Sequence, residues 1–383
     1  MRTFGVLFCI LVAAVVVPVF LGVPTCKGIE PTQPVTKDGE KWRIAYYEGG
    51  AYVDYKDCMH AIIGGLMSLG WIDKAELPGL EGDVPKPYWN WLSKESKSRF
   101  LEFREEDAYS ALWSDEQRAT TRVEVLKKLQ SGDIDLIIAM GTWAGQDLAN
   151  NLHRVPTTVV STSDPIHAKI IRSAEDSGLD HVTARVDPNR YLRQVRMFHR
   201  LVRFHKLGVA YEDTPDGRIY SAIPAIEKVA VERGFELVIC NLDDSQEDRY
   251  AAGRACLECM QALAADADAI YLTALLSVDE QLKPIAELLL KEKVPSFSMI
   301  GSKYVKEGIL MSISTDEGYE AQGLYDAGKI ARILNGAAPR TLEQEFPDPL
   351  DIAINMATAK AIGVTVPNGI LRIAHEIYGA EAQ

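Results

Sequence analysis

Apolar runs of strand length alternate along this chain with longer segments of helical period. Arg43–Tyr47, Asp135–Met140, Thr157–Ser161, Leu207–Tyr211, Leu237–Asn241, Ala269–Thr273, Ser296–Ile300 and Leu310–Ser314 read as strands. Ala119–Gln130, Asn189–Phe204, Ile219–Arg233, Ala251–Asp266, Asp279–Lys293 and Tyr319–Leu334 read as helices, with apolar residues three and four apart. Gly132, Gly234 and Gly336 follow three of these helices where a left-handed cap is expected. The alternation predicts an α/β fold with parallel sheets covered by helices on both faces. So many units exceed one small doubly wound domain, and two lobes are expected.

Two stretches break the pattern. Between Gly70 and Arg118, Pro78, Pro85 and Pro87 precede Tyr88-Trp89-Asn90-Trp91 and a charged run through Glu106; this predicts an inserted loop and then a strand near Leu101–Arg104. All six tryptophans lie between Trp42 and Trp143, where they either wall a ligand site or pin down the insertion. At the N-terminus, Arg2 precedes an uncharged apolar stretch from Phe4 to Val23, so residues 1–26 are expected to be an export signal or a membrane anchor, and the polar segment 27–41 a linker. Cys26 closes Val23-Pro24-Thr25-Cys26, which resembles a lipoprotein acylation site apart from Thr25. The folded part is therefore expected in the periplasm or otherwise outside the cytoplasm.

The composition of the 383 residues, 47% hydrophobic and 25% charged, is that of a globular chain. A net charge of −13 and a pI of about 5.1, with no basic run, argue against nucleic acid as a partner. Export would leave Cys58, Cys240, Cys256 and Cys259 in the mature domain, where disulfides are permitted. Cys256 and Cys259 form a C-x-x-C inside a predicted helix, which reads as two small buried residues on one face; no histidine at suitable spacing completes a zinc site. No nucleotide-binding, hydrolase or metalloprotease signature occurs, so neither catalysis nor a cofactor or metal is expected. His375-Glu376 lacks a second histidine and reads as an exposed helix face.

In parallel α/β sheets ligands bind beyond the carboxyl ends of the strands. That rule selects Tyr47 and Glu48, with Gly49 and Gly50, after the first strand. It next selects Gly141, Thr142 and Trp143, where a helix opens; its amides and the Thr142 hydroxyl either hold an anion or Thr142 simply caps the helix. Ser161, Thr162, Ser163 and Asp164 follow a buried strand, and four small polar side chains there have little packing purpose. In the second half the equivalent positions are Tyr211 with Asp213, Thr214 and Arg218, then Thr273 with Leu275 and Leu276, then Ile300. Arg218 either clamps a carboxylate or is a solvated arginine at a helix start. Tyr319, at the start of its helix, completes the set.

The residues from Trp42 to about Val366 resemble the ABC transporter substrate-binding proteins, whose characterised members include aromatic amino-acid binders. The resemblance rests on DIDLIIAMGTWAGQDLAN (133–150), VPTTVVSTSDPI (155–166), DAIYLTA (268–274), YEAQGLYDAGKIARILNGAAP (319–339) and LDIAINMATAKAIGVTVP (350–367), a strand followed by a helix start. It implies a type I periplasmic-binding fold: two Rossmann-like lobes, crossed three times by the chain at a hinge, with a small ligand enclosed between them. Lobe one would be 42–166 plus 310–338, and lobe two 167–309 plus 339–383. It further implies domain closure without covalent chemistry, a monomer, and an ABC permease with its ATPase as partners, with membrane contact only through the N-terminal segment. Where relatives often read D-A-I-Y-V-P-T-D-N, this chain has Leu275 and Leu276 for the acid and the amide, and Ile300 stands where relatives tend to carry an aspartate. Loss of those partners for an α-ammonium favours an apolar or aromatic carboxylate, while Glu48 and Asp164 keep amines open. A ligand-sensing module for a membrane receptor is the competing reading, and an enzyme the more distant one.

Overall fold

A computed structural model describes residues 32–79, 85–244, 246, 248–313, 318–347 and 350–380. The expected leader, residues 1–26 with Cys9 and Cys26, lies outside the described residues, as do part of the expected linker and Ser314. Among the described residues no helix is long and apolar enough to cross a membrane.

The strands form two sheets. The first contains β1 (Trp42–Glu48), β2 (Leu101–Ser110), β3 (Leu136–Met140), β4 (Thr157–Val160) and β5 (Val182–Ala184), all parallel, in the order β2-β1-β3-β4-β5. The second contains β6 (Lys206–Tyr211), β7 (Glu236–Asn241), β8 (Ala269–Leu272), β9 (Ser296–Ser298), β10 (Met311–Ile313), β11 (Ile352–Asn355) and β12 (Ala374–Tyr378), in the order β12-β11-β10-β9-β8-β6-β7. Only the β10–β11 pair among these is antiparallel.

Side chains of a strand alternate between faces, so β1, buried from Ile44 to Glu48, and the wholly buried β3 feed two cores. Ile44, Tyr46, Leu136 and Ile138 pack on α1 (Val53–Ser68) and α2 (Lys86–Lys94), whereas Ala45, Tyr47, Ile137 and Ala139 pack toward α3 (Asp115–Gln130) and α4 (Gly141–Leu148). In the second lobe the sheet packs with α5 (Arg190–Val202), α6 (Pro215–Tyr220), α7 (Ile223–Arg233), α8 (Arg249–Asp266), α9 (Leu276–Glu280), α10 (Leu282–Lys291) and α11 (Ser302–Lys306). The long α12 (Gly318–Leu334) returns to the first lobe and lies along α1, before α13 (Met356–Ile362) and α14 (Asn368–Leu371) close the second.

The chain thus passes between lobes three times: after β5, between β10 and α12, and between α12 and β11. Two of the crossing segments are tied, with Val186 N donating to Gln344 O and Phe346 N to Val186 O, each at 2.9 Å. These sheets divide the chain differently from the expected lobe ranges. β5 extends the first sheet beyond 166, and β10 belongs to the second sheet although 310–338 was expected in the first lobe. A three-residue strand such as β5 has too short a pattern to read in sequence.

Other departures have local causes. The expected helix Ile219–Arg233 is two helices, because Pro224 lacks an N–H to extend the preceding turn and Ala222 turns into the left-handed region at φ 57. Residues 86–94 form a helix rather than loop, and β2 runs on through its charged residues because it is an edge strand with one side open to solvent. The segment around His375 and Glu376 is edge strand β12, not a helix face, and His375 Nε2 lies 3.1 Å from Asp351 Oδ1. The three cap glycines do adopt positive φ, as at Gly234, whose N–H closes α7 on Ala230 O.

Cys259 does not share a purely packing role with Cys256: it forms a disulfide with Cys240, joining α8 to β7 across 19 residues. Closing a loop of that size restricts the unfolded chain and contributes about 3 kcal/mol. Cys58 and Cys256 are buried free thiols.

Candidate functional site

The carboxyl ends of both sheets meet a cleft of about 670 Å³ between the lobes. The first lobe supplies an arc of rings. Trp113 follows β2, Trp143 opens α4, and Tyr52 and Tyr55 stand at the start of α1. Ring centroids are 5.4 Å apart for Trp113 and Trp143, 6.1 Å for Tyr55 and Trp113, and 5.5 Å for Tyr52 and Tyr55.

The backbone is shaped to present Trp113. Leu112 and Trp113 both have left-handed φ, 53 and 54, a costly conformation that persists only when its surroundings enforce it. They do so here: Trp113 N donates to Gly49 O, and its indole Nε1 to Ala51 O, both at 2.8 Å. The ring lies on the Gly49-Gly50 backbone, where a Cβ would come within 2.7 and 2.5 Å of it. Gly141 has a matching role, since a Cβ there would fall 1.7 Å from the Tyr55 hydroxyl oxygen.

Arg118 stands over the Trp143 ring, 4.6 Å from its centroid, and grips Asp147 through Nε to Oδ2 and Nη2 to Oδ1, each 3.0 Å. Tyr47 donates to the same carboxylate at 2.7 Å. Facing this wall, the second lobe offers an apolar strip of Ala274, Leu276, Met299 and Ile300. Polar contacts bridge the lobes at the rim: Gln146 Nε2 donates to Asp216 Oδ1 at 2.8 Å, and the Arg118 guanidinium lies 3.7 Å from Asp216.

Of the residues expected from sequence, Thr142, Trp143, Ser161, Thr162, Ser163, Thr214, Leu276, Ile300 and Tyr319 line the cleft. Thr142 lies inside α4 and does not cap it; the cap position is Met140, without a side-chain bond. Tyr319 donates its hydroxyl hydrogen to Asp54, joining α12 to α1 at the cleft wall. The others stand outside the lining. Tyr47 is buried on Asp147, and Glu48 accepts from the Tyr46 hydroxyl at 2.6 Å. Burial pushes the Glu48 carboxyl up to about 7, against the lowering effect of hydrogen bonds from Tyr46 and Ser110. Asp164 is spent on the turn after β4, accepting from Ile166 N and His167 N, with His167 Nδ1 2.6 Å away. Arg218 is not a clamp aimed at the cleft: it pairs with Glu227 at 2.6 Å and donates to the Tyr211 hydroxyl at 3.1 Å. Asp213 is exposed, and Thr273 is buried, donating to Ala210 O at 2.7 Å.

Tyr52, Tyr55, Arg185, Tyr191 and Asp244 also line the cleft and were not singled out in the sequence. Carrying the strand-end rule a few residues past Gly50 would have reached the two tyrosines; Arg185 follows the unread β5. Asp244 accepts from Leu276 N at 2.6 Å and Ser277 N at 2.9 Å, tying the apolar strip to the loop after β7. Among the described residues no cluster of His, Cys, Asp and Glu suits a metal ion.

Residues 106–378 match the family described as ABC transporter substrate binding protein. Comparison with curated proteins gives no match. Among solved structures, the chain is similar to a conserved domain protein from Vibrio cholerae, at 20% identity and a TM-score of 0.65 over 88% of this chain and 100% of that one. It is similar to the ABC domain from Streptococcus pneumonia in complex with L-Trp, at 18% identity and a TM-score of 0.66, again over 88% and 100%. A third is the ligand-free, open form of a substrate binding protein with adhesive properties from Clostridium difficile, at 18% identity and a TM-score of 0.56 over 89% and 100%. These likenesses establish the type I periplasmic-binding fold.

Proposed function

The chain belongs to the family of ABC transporter substrate binding proteins, and from that premise we propose that it is the extracytoplasmic component of an importer. It takes a small aromatic or apolar carboxylate between its lobes and presents the closed form to a permease with its ATPase. The observation that carries this reading is the cleft itself, an arc of four rings on one lobe facing an apolar strip on the other. A planar ligand between those walls touches both lobes only when they are closed, so binding shifts the population toward the closed shape. The leucines and isoleucine in place of acid and amide fit this ligand class, since Leu276 and Ile300 lie in the strip. In this reading the N-terminal segment directs export or holds the protein at the membrane, the mature protein acts as a monomer, and the ligand leaves unchanged.

Native mass spectrometry of the gently purified protein, with uptake assays in cells lacking its gene, tests the proposal. An unmodified small carboxylate should co-purify, and uptake of the labelled compound should fall to background without the gene. Undiminished uptake would point to sensing instead, and conversion of the compound on the protein would make it an enzyme.

A further inference from the structure

Hydroxyls on the first-lobe wall of the cleft lack partners in the protein. Tyr55 and Thr142 line the cleft while only 5% and 7% exposed, and among the described residues neither hydroxyl makes a hydrogen bond. Thr162 lines it too, and its Oγ1 is buried with no partner among the described residues. A buried hydroxyl left unpaired costs free energy that an apolar side chain of the same shape avoids, so such groups in native proteins are matched by something.

These hydroxyls gather at one end of the first sheet. β3 and β4 pair in parallel as far as Met140 and Val160, and Thr142 and Thr162 each stand two residues beyond. Tyr55 reaches the same place from α1: a Cβ on residue 141 would fall 1.7 Å from its hydroxyl oxygen, so only glycine there admits the phenol to the opening of α4. Burial, with Glu48 and Asp54 nearby, holds that phenol well above its ordinary range, so it stays protonated and able to donate. α4 opens at Met140 without a side-chain cap and with no acidic residue in its first turn, and its first amides find no carbonyl within the helix. O–H donors and the positive end of a helix thus meet at one point of the cleft, which suits a carboxylate and opposes an ammonium.

We propose that Tyr55, Thr142 and Thr162 donate hydrogen bonds to the carboxylate of the ligand at the opening of α4, and that this set distinguishes carboxylates from amines. The ring arc lies directly beside it, since Trp143 follows Thr142 in α4 and the Tyr55 ring is itself part of the arc. A ligand whose ring meets Trp113 and Trp143 therefore needs only a short chain between ring and carboxylate. This rests on the reading of the cleft as a ligand site and narrows the ligand to short-chain aromatic acids.

The test is calorimetry and thermal unfolding on the purified protein, with phenylpropionate, its neutral amide and phenethylamine as probes. Phenylpropionate should bind about 10-fold or more tighter than the amide, and phenethylamine should bind most weakly. Tyr55→Phe and Thr162→Val keep the shape and lose the hydroxyl, and each should weaken phenylpropionate about 10- to 100-fold while changing phenethylamine little. Neither should lower the melting temperature of the unliganded protein, because the hydroxyl removed has no partner there to lose. A hydroxyl with a purely structural role gives the reverse, a lower melting temperature with affinity intact. That result, or an equal loss for all three probes, would overturn the assignment. Tighter binding of phenethylamine than of phenylpropionate would overturn it too but leave the cleft as a ligand site, whereas binding of none of the three would overturn both readings.

Discussion

Gly323→Ala should cost about 3 kcal/mol of stability, a drop in melting temperature of roughly 6–12 °C. Gly323 lies on α12 where it crosses α1, and a Cβ there would come within 2.3 Å of the Ala61 carbonyl carbon and 2.4 Å of its oxygen. Both are backbone atoms, so relief requires the helices to part rather than a side chain to rotate. Gly65 on α1 matches it, since a Cβ at that position would lie 2.7 Å from Gly323 O. The effect should extend to the cleft. α1 carries Tyr52 and Tyr55, α12 carries Tyr319, and the Tyr319–Asp54 bond joins them, so parting the helices displaces one wall of the site. Thermal unfolding followed by circular dichroism measures the first effect, and ligand affinity below the transition measures the second. Unchanged melting would show that the helix pair tolerates a wider spacing than its geometry indicates.

Trp113→Ala should reduce affinity for an aromatic ligand roughly 30- to 1000-fold, equivalent to about 2–4 kcal/mol, the range of a buried aromatic anchor. The indole sits at the centre of the ring arc, contacting Trp143 on one side and Tyr55 on the other. It is held there by two hydrogen bonds and by a glycine pair that leaves room beneath it. Stability should change less than affinity, because Trp113 is only half-buried and its strained backbone is relieved when the ring no longer fixes it. Isothermal titration beside a melting curve separates the two, and an affinity loss no larger than the stability loss would remove Trp113 from the site.

Most of the fold was legible because its buried parallel strands are uninterrupted apolar runs, and β1, β3, β4, β6 and β8 begin and end within a residue or two of where the pattern places them. What escaped was short or at an edge. β5 offers three residues, β12 alternates exposed and half-buried positions, and β2 accepts Glu102, Glu105 and Glu106 because it pairs on one side only.

The site was readable where it follows long strands directly, as at Thr142, Trp143 and Ser161–Ser163. Strand-end reasoning does not reveal direction, however. Tyr47 and Glu48 end a strand yet turn into the interior, and Arg218 is satisfied within its own lobe by Glu227 and Tyr211. The aromatic question divides between its two answers. Trp71 and Trp89 are fully buried, and Trp89 Nε1 donates to Arg104 O at 2.8 Å, pinning the segment between α1 and β2, while Trp113 and Trp143 wall the cleft.

That pair of indoles makes the central claim directly measurable. Titrating the protein with phenylpropionate and with L-phenylalanine while following tryptophan emission should give a saturable, one-to-one change for at least one of them. The change should vanish when Trp113→Phe and Trp143→Phe are combined, since the response then has no source in the cleft. A saturable change that survives in the double variant would place the ligand elsewhere and contradict the account.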